Sequence, residues 1–288
     1  MKHAFLIMAH DRPAELKKLI STLDDPRHHI YLHIDARSNL DPAQFLSCAT
    51  RSRIVLVKRH KVVWGGVSQI LAELELFSAA YHDGGFGYYH LLSGVDCTTH
   101  SNEYLNEYFE KHKGENFIKL SPTPRLLEMR YDQYHWLHEA FVGKKRNIWK
   151  YVDFGLCYAQ RAIGIHRFHG VEIPKHQTWC SLTEDFVSHL VEDRDQLSKQ
   201  FKYTYCCDEI FLTYELRKHD MWDTLSSNGS LRFIEWENKT KHDSSPRVLT
   251  SQDFGTITAP NILFARKINF PQSQGLIDRL DEYKAQGR

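Results

Sequence analysis

Tyr88-Tyr89-His90-Leu91-Leu92-Ser93-Gly94-Val95-Asp96 reads as an apolar strand that ends abruptly in a small-residue turn carrying one carboxylate. In open α/β sheets, ligands bind in the crevice beyond the carboxyl ends of the strands. Ser93 and Gly94 would therefore border a ligand, Gly94 would allow close backbone approach, and Asp96 would face it. The same residues also read as a plain turn before a helix that Ser101 caps and Glu103 favours from the first turn. Only the rest of the chain separates the two readings.

Working outward, Ala4 to Ala9 is a buried strand closed by His10-Asp11-Arg12-Pro13. Leu16, Leu19, Ile20 and Leu23 then recur at helical spacing. Ile30 to Ile34 is a second strand ending in Asp35-Ala36-Arg37-Ser38, and Ile54 to Val57 a third. Ile70, Leu71, Leu74 and Phe77 mark a helix opened by Trp64-Gly65-Gly66 and ended by Gly84-Gly85. Beyond the opening strand come a helix from Asn102 to about Lys111 and a strand from Phe117 to Leu120. This alternation predicts an α/β fold with a mainly parallel, Rossmann-like sheet.

Past Ser121 the periodicity breaks down. Pro122, Pro124, the aromatics Tyr131, Tyr134, Trp136, Phe141 and Trp149, and the basic run Lys144-Lys145-Arg146 predict an irregular lobe. Regular structure resumes at Trp179 to Thr183, with a helix near Glu184 to Glu192 and another beginning at Asp208-Glu209. Extended segments at Leu231 to Trp236 and Ile262 to Lys267 precede a C-terminal amphipathic helix. The expected organisation is one domain over residues 1–288. About 1–120 would form a nucleotide-binding half, and about 121–288 a second half.

Composition narrows the partners. The 288 residues carry a net charge of +1, which gives no basic field for nucleic acid. The first apolar run is too short for a signal peptide, and no run approaches a bilayer span. Six cysteines without framework spacing read as reduced thiols in a cytoplasm.

Several stretches in order resemble the core-2/I-branching β-1,6-N-acetylglucosaminyltransferases and their xylosyltransferase relatives. They are Ala4 to His10, Ile30 to Asp35, Trp64-Gly65-Gly66, Leu91 to Asp96, Trp179 to Leu182, Asp208-Glu209, Pro246 to Thr250, and Leu263 to Lys267. The resemblance implies a GT-A type fold and inverting, metal-independent transfer from a UDP-sugar, UDP-N-acetylglucosamine being the family's commonest donor. The product would be a β linkage to an acceptor hydroxyl, the 6-OH by family analogy. UDP-xylose and UDP-glucuronate users share the scaffold.

Residue by residue, Glu209 matches the family's base, and Arg247 and Lys267 match cations that stabilise the leaving diphosphate, with Arg266 an alternative. Inverting displacement needs both functions, because a hydroxyl loses its proton while negative charge grows on the departing diphosphate. Asp35 matches a nucleotide contact, and Ala9, His10 and Arg37 lie at the same sheet edge. Trp64-Gly65-Gly66 either turns backbone N–H groups toward the donor or forms a tight turn before a core helix. Asp96 would bind a sugar hydroxyl, and Trp179 and Asp208, the latter beside the base, would bind the acceptor. His176-Gln177-Thr178 stands where the family often has a Gly-Ser pair.

No cofactor or metal is expected. The one Asp-x-Asp string, Asp193-Arg194-Asp195, sits between helices and reads as a solvated face. His29/His33, His135/His138 and His166/His169 show no third-ligand pattern. The rival readings are a metal-dependent transferase and a catalytically inactive glycan binder. A Rossmann oxidoreductase lacks its G-x-G-x-x-G after the first strand. The expected setting is the cytoplasmic face of a bacterial surface-glycan pathway. The acceptor would be a glycan, lipid-linked or free, and Lys58 to Lys61 and Lys144 to Arg146 are candidate contacts to anionic lipid.

Overall fold

The computed structural model describes residues 1–122, 126–144, 147–236 and 245–288. Pro124 and the Lys145-Arg146 part of the basic run lie outside them. The chain begins β1 (His3–Ala9), α1 (Pro13–Thr22), β2 (His28–Ile34), β3 (Arg53–Leu56), α2 (Val67–Asp83), β4 (Tyr88–Ser93), β5 (Asp96–Thr98) and α3 (Asn102–Lys111). It continues with α4 (Met129–Asp132), α5 (Ile148–Ala162), β6 (Ser181–Thr183), α6 (Glu184–Glu192), α7 (Arg194–Gln200) and α8 (Phe211–Lys218). The remaining elements are β7 (Arg232–Ile234), α9 (Phe254–Ile257), β8 (Phe264–Arg266) and α10 (Gln274–Ala285).

Five strands form the main sheet in the order β3-β2-β1-β4-β6, parallel except for β6, which runs antiparallel to β4. Because successive strand residues point to opposite faces, the apolar runs supply both faces at once. Ala4, Leu6, Tyr31, Tyr89 and Leu91 pack under α2, α6 and α8, whereas Phe5, Ile7, Ile30, Leu32 and Leu92 pack under α1 and α3. The expected helix-covered, mainly parallel α/β architecture is therefore present.

Ser93 to Asp96 is neither a plain turn nor a helix entry. There the chain leaves the main sheet and joins a second one, ordered β5-β8-β7, in which Asp96 pairs with Arg266. Gly94 is required at this junction, because a Cβ would lie 2.8 Å from that of Ala9. The two sheets are also bound by the buried Arg232, which donates to Ser181 Oγ at 3.0 Å and to the Cys180 carbonyl. Ser181 Oγ in turn begins a buried chain to His90 Nδ1 (2.7 Å), whose Nε2 lies 2.9 Å from His3 Nδ1.

Three expectations need correction. Phe117 to Leu120 makes isolated bridges from Phe117 to Ser181 and from Leu120 to His176, rather than a strand. The helix expected at Asp208 starts at Phe211, and Cys207–Glu209 is a 3-10 turn, entered from Cys206 in a left-handed conformation (φ 50°). The lobe past Ser121 is less irregular than its sequence: α5 runs for 15 residues, capped by Asn147. Its buried face carries Asp153 and Gln160 while Ile148, Tyr151, Val152 and Tyr158 face outward, so the usual amphipathic reading fails there.

Candidate functional site

A cavity of about 490 Å³ opens beyond the carboxyl ends of β1 and β4, within the range typical of small-ligand sites. A second of about 560 Å³ adjoins it, and Ala9, His10, Trp64, Ser93, Trp179 and Arg266 line both. Gly94, Asp208, Glu209 and Lys267 line the first, and Asp35 and Arg37 the second. Most of the residues singled out in the sequence thus converge on one cleft.

Glu209 is held from three sides. Its carbonyl accepts from the His176 N–H (2.7 Å), and its Oε2 accepts from Arg130 Nη1 (2.8 Å) and lies 3.3 Å from Lys175 Nζ. The turn carrying it is fixed by the Cys206 N–H donating to the Gly65 carbonyl at 2.8 Å. Next to it Asp208 is buried and accepts from Gln69 Nε2 (2.8 Å) and Thr178 Oγ1 (2.9 Å). Burial first, and the charge of Glu209 second, push the Asp208 carboxyl well above its ordinary range. Thr178 therefore serves Asp208 where the family's Gly-Ser pair was expected. Arg130, Lys175 and Gln69 were not foreseen: they come from a helix turn, a loop and a helix, and only the fold brings them together.

Facing these is a cluster of cations. Arg266 lies over the Trp179 ring (4.4 Å to its centroid), with Nε 3.5 Å from Asp96 Oδ1. Lys267 Nζ donates to Ser245 Oγ at 2.6 Å. Burial, then the charges of Arg12, Arg266 and Lys144, hold the Lys267 ammonium below its ordinary value. Arg12 and Lys144, which line the same cavity, are further residues that the sequence did not reveal. Arg12 adopts a left-handed backbone (φ 55°) at the end of β1, a conformation uncommon for a long side chain.

The geometry corrects four expectations about the site. Arg247 forks onto Asp253 (2.9 and 2.6 Å), and its neighbours Ser245 and Pro246 line the cavity in its place. Arg266 and Lys267 both line that cavity, because Lys267 lies beyond the end of β8, where strand alternation no longer applies. Asp96 is buried behind Arg266 and accepts from the Ser93 N–H (2.9 Å), so it supports a cation instead of meeting a sugar. The N–H groups of Gly65 and Gly66 are spent on Gln69 Oε1 (3.2 Å) and the Val63 carbonyl (3.0 Å), which makes that segment the tight turn of the two readings. A Cβ on Gly66 would sit 1.9 Å from Glu139 Oε2.

Asp35 accepts from Arg37 Nη2 (2.9 Å) and from the Val62 N–H (3.3 Å). Burial would raise its carboxyl, but the Arg37 hydrogen bonds prevail and hold it below the ordinary range. Among the described residues, two groups of potential metal ligands occur: His135, Asp153 and Cys157, and Asp193, Glu215 and His219. The first joins His135 to Asp153 and Cys157 and leaves out His138, whose Nε2 lies 3.0 Å from the Trp64 carbonyl. Both ring nitrogens of His135 are already engaged, by Asp153 Oδ2 (2.6 Å) and the Met129 carbonyl (2.9 Å). Asp193 is tied to Lys218 (2.6 Å) and His219 (2.7 Å). None of these residues lines either cavity.

The family model of the core-2/I-branching enzymes matches residues 3–258. The chain belongs to that family. Among curated relatives, xylosyltransferase 2 of Bos taurus and xylosyltransferase 1 of Homo sapiens are each 26% identical over 302 residues, covering 97% of this chain. They cover 33% and 30% of those relatives, so the chain spans about a third of their length. Of solved structures, mouse xyloside xylosyltransferase 1 superposes with a TM-score of 0.41 at 12% identity, over 94% of this chain and 98% of that one.

Proposed function

We propose that the chain is an inverting glycosyltransferase that moves a sugar from a UDP-sugar to a hydroxyl of a glycan acceptor. The observation that carries this reading is a carboxylate, Glu209, lining the same cavity as Arg12, Lys144, Arg266 and Lys267. Cations this close repel one another, and a diphosphate bound among them relieves the repulsion while it departs with growing negative charge. Glu209 takes the proton of the attacking hydroxyl. Arg130 and Lys175 fix its position, and the ring of Trp179 offers an apolar face to a sugar. Asp35 and Arg37 hold the nucleoside end in the adjoining cavity.

The fixed cations support transfer without a metal. N-acetylglucosamine, placed in β linkage on a 6-hydroxyl, remains the donor reading taken from the family pattern. Xylose is the second reading, favoured by the names of the curated relatives. The experiment is a UDP-sugar screen by calorimetry, followed by transfer assays with and without EDTA. Transfer from one UDP-sugar that survives EDTA is the expected result. Activity lost on chelation and restored by Mn²⁺ would overturn the metal-independent mechanism, and no binding of any UDP-sugar would overturn the reading as a whole.

A further inference from the structure

The outward stripe of α5 is apolar where a surface helix is normally polar. Ile148, Tyr151, Val152, Gly155, Tyr158, Ala159 and Ala162 follow at helical spacing, and Ile148, Tyr151 and Tyr158 are 67%, 72% and 55% exposed. Asp153 and Gln160 of the same helix are turned inward and consumed. Asp153 binds His135 and the Leu137 N–H (3.0 Å), and Gln160 exchanges hydrogen bonds with the Tyr134 backbone (2.8 and 2.9 Å). The patch continues into Ile163, 75% exposed, and into Phe141, whose ring lies 5.3 Å from that of Trp149. An apolar surface of this extent on a polar protein marks something that covers it.

We propose that this face of α5 docks on an anionic membrane surface. The charge pattern selects that occupant. The only acidic side chain on α5, Asp153, is buried, while Lys144 and Lys150, whose Nζ lies 5.7 Å from the Tyr205 ring centroid, stand at the start of the stripe, and Arg161, paired with Glu128 at 2.9 Å, stands at its end. Aliphatic and aromatic side chains on one face with a basic rim are the composition of a helix lying in the headgroup layer. The face adjoins the cleft: Lys144 lines both cavities four residues before Ile148, and Phe141 lines the second. Docking would therefore present the cleft to an acceptor carried on lipid, a consequence that rests on the transferase reading, whereas the docking itself does not.

The test is flotation of the full chain with phosphatidylcholine vesicles, with and without phosphatidylglycerol, at low and high salt. The expected result is salt-sensitive binding to the anionic vesicles. Ile148→Glu and Tyr151→Glu should each weaken it by roughly tenfold or more, because each removes a large buried apolar contact. Both sites are exposed, so Tm and UDP affinity should not change. The proposal fails if the wild type ignores anionic vesicles, or if both variants bind as the wild type does. It also fails if sedimentation shows that the substitutions only split a dimer formed through this face. UDP binding is read separately, so loss of the transferase reading leaves this result standing.

Discussion

The two walls of the cleft are built differently. One consists of strand ends, Ala9 to Arg12, Asp35 to Arg37, Ser93-Gly94 and Arg266-Lys267, all anchored in sheets whose backbone bonds fix them. The other consists of segments outside the main sheet, Lys175 to Thr178 and the Cys206–Glu209 turn, braced by Arg130. These segments are fixed by one another, through Arg130 to Glu209 (2.8 Å), His176 N–H to the Glu209 carbonyl (2.7 Å) and Cys206 N–H to the Gly65 carbonyl (2.8 Å). A sheet supplies rigidity before any particular side chain is chosen. A wall of turns owes its rigidity to specific polar pairs, so one substitution there disturbs several neighbours.

The sharpest way to break this comparison is Glu209→Gln. With transfer measured in single turnovers, kcat should fall by about 10²–10⁴ while UDP affinity, a property of the opposite wall, stays close to wild type. Near-normal turnover would remove Glu209 from the role of base and pass it to Asp208. On the sheet-anchored wall, Arg266→Ala and Lys267→Ala should each lower the rate by about 10²–10³ and weaken UDP binding. Arg247→Ala should instead show mainly in Tm, since its guanidinium is occupied by Asp253; an equal loss of UDP affinity would restore it to the site. The smallest effect tests the strand-end packing itself. Gly94→Ala places a methyl 2.8 Å from the Ala9 Cβ and should cost about 1–3 kcal/mol in denaturant unfolding, and an unchanged midpoint would show that β1 and β4 can separate there.

The difference between the walls also governs what the sequence discloses. Strand ends are local: an apolar run that stops at Ser93-Gly94 or at Asp35 states its position in the sheet within a few residues. Asp208 and Glu209 could be placed only through the family pattern, since an acidic pair before an apolar helix has many uses. Their supports, Arg130, Lys175 and Gln69, are distant along the chain and sit in no periodic pattern, so nothing local marks them. The turn of Arg247 onto Asp253 was equally hidden, because a basic residue after proline reads the same whether it faces a ligand or a neighbour. Helix α5 was missed for a physical reason of its own, since its hydrogen-bonding residues point into the protein.

The chain of buried imidazoles beneath the main sheet sets an environmental limit. Burial holds His3, His28 and His90 below their ordinary value, and holds His33 and His176 at about 4, against 6.5 when exposed. The folded chain therefore refuses protons that the unfolded chain accepts as pH falls below about 6.5. Each such histidine tilts the balance toward unfolding by up to about 1.4 kcal/mol per pH unit until its own folded-state value is passed. Above that pH the same groups are neutral in both states and contribute no slope. The interior thus acts as an acid fuse: the cleft keeps its shape in neutral surroundings and loses its foundation in mildly acidic ones.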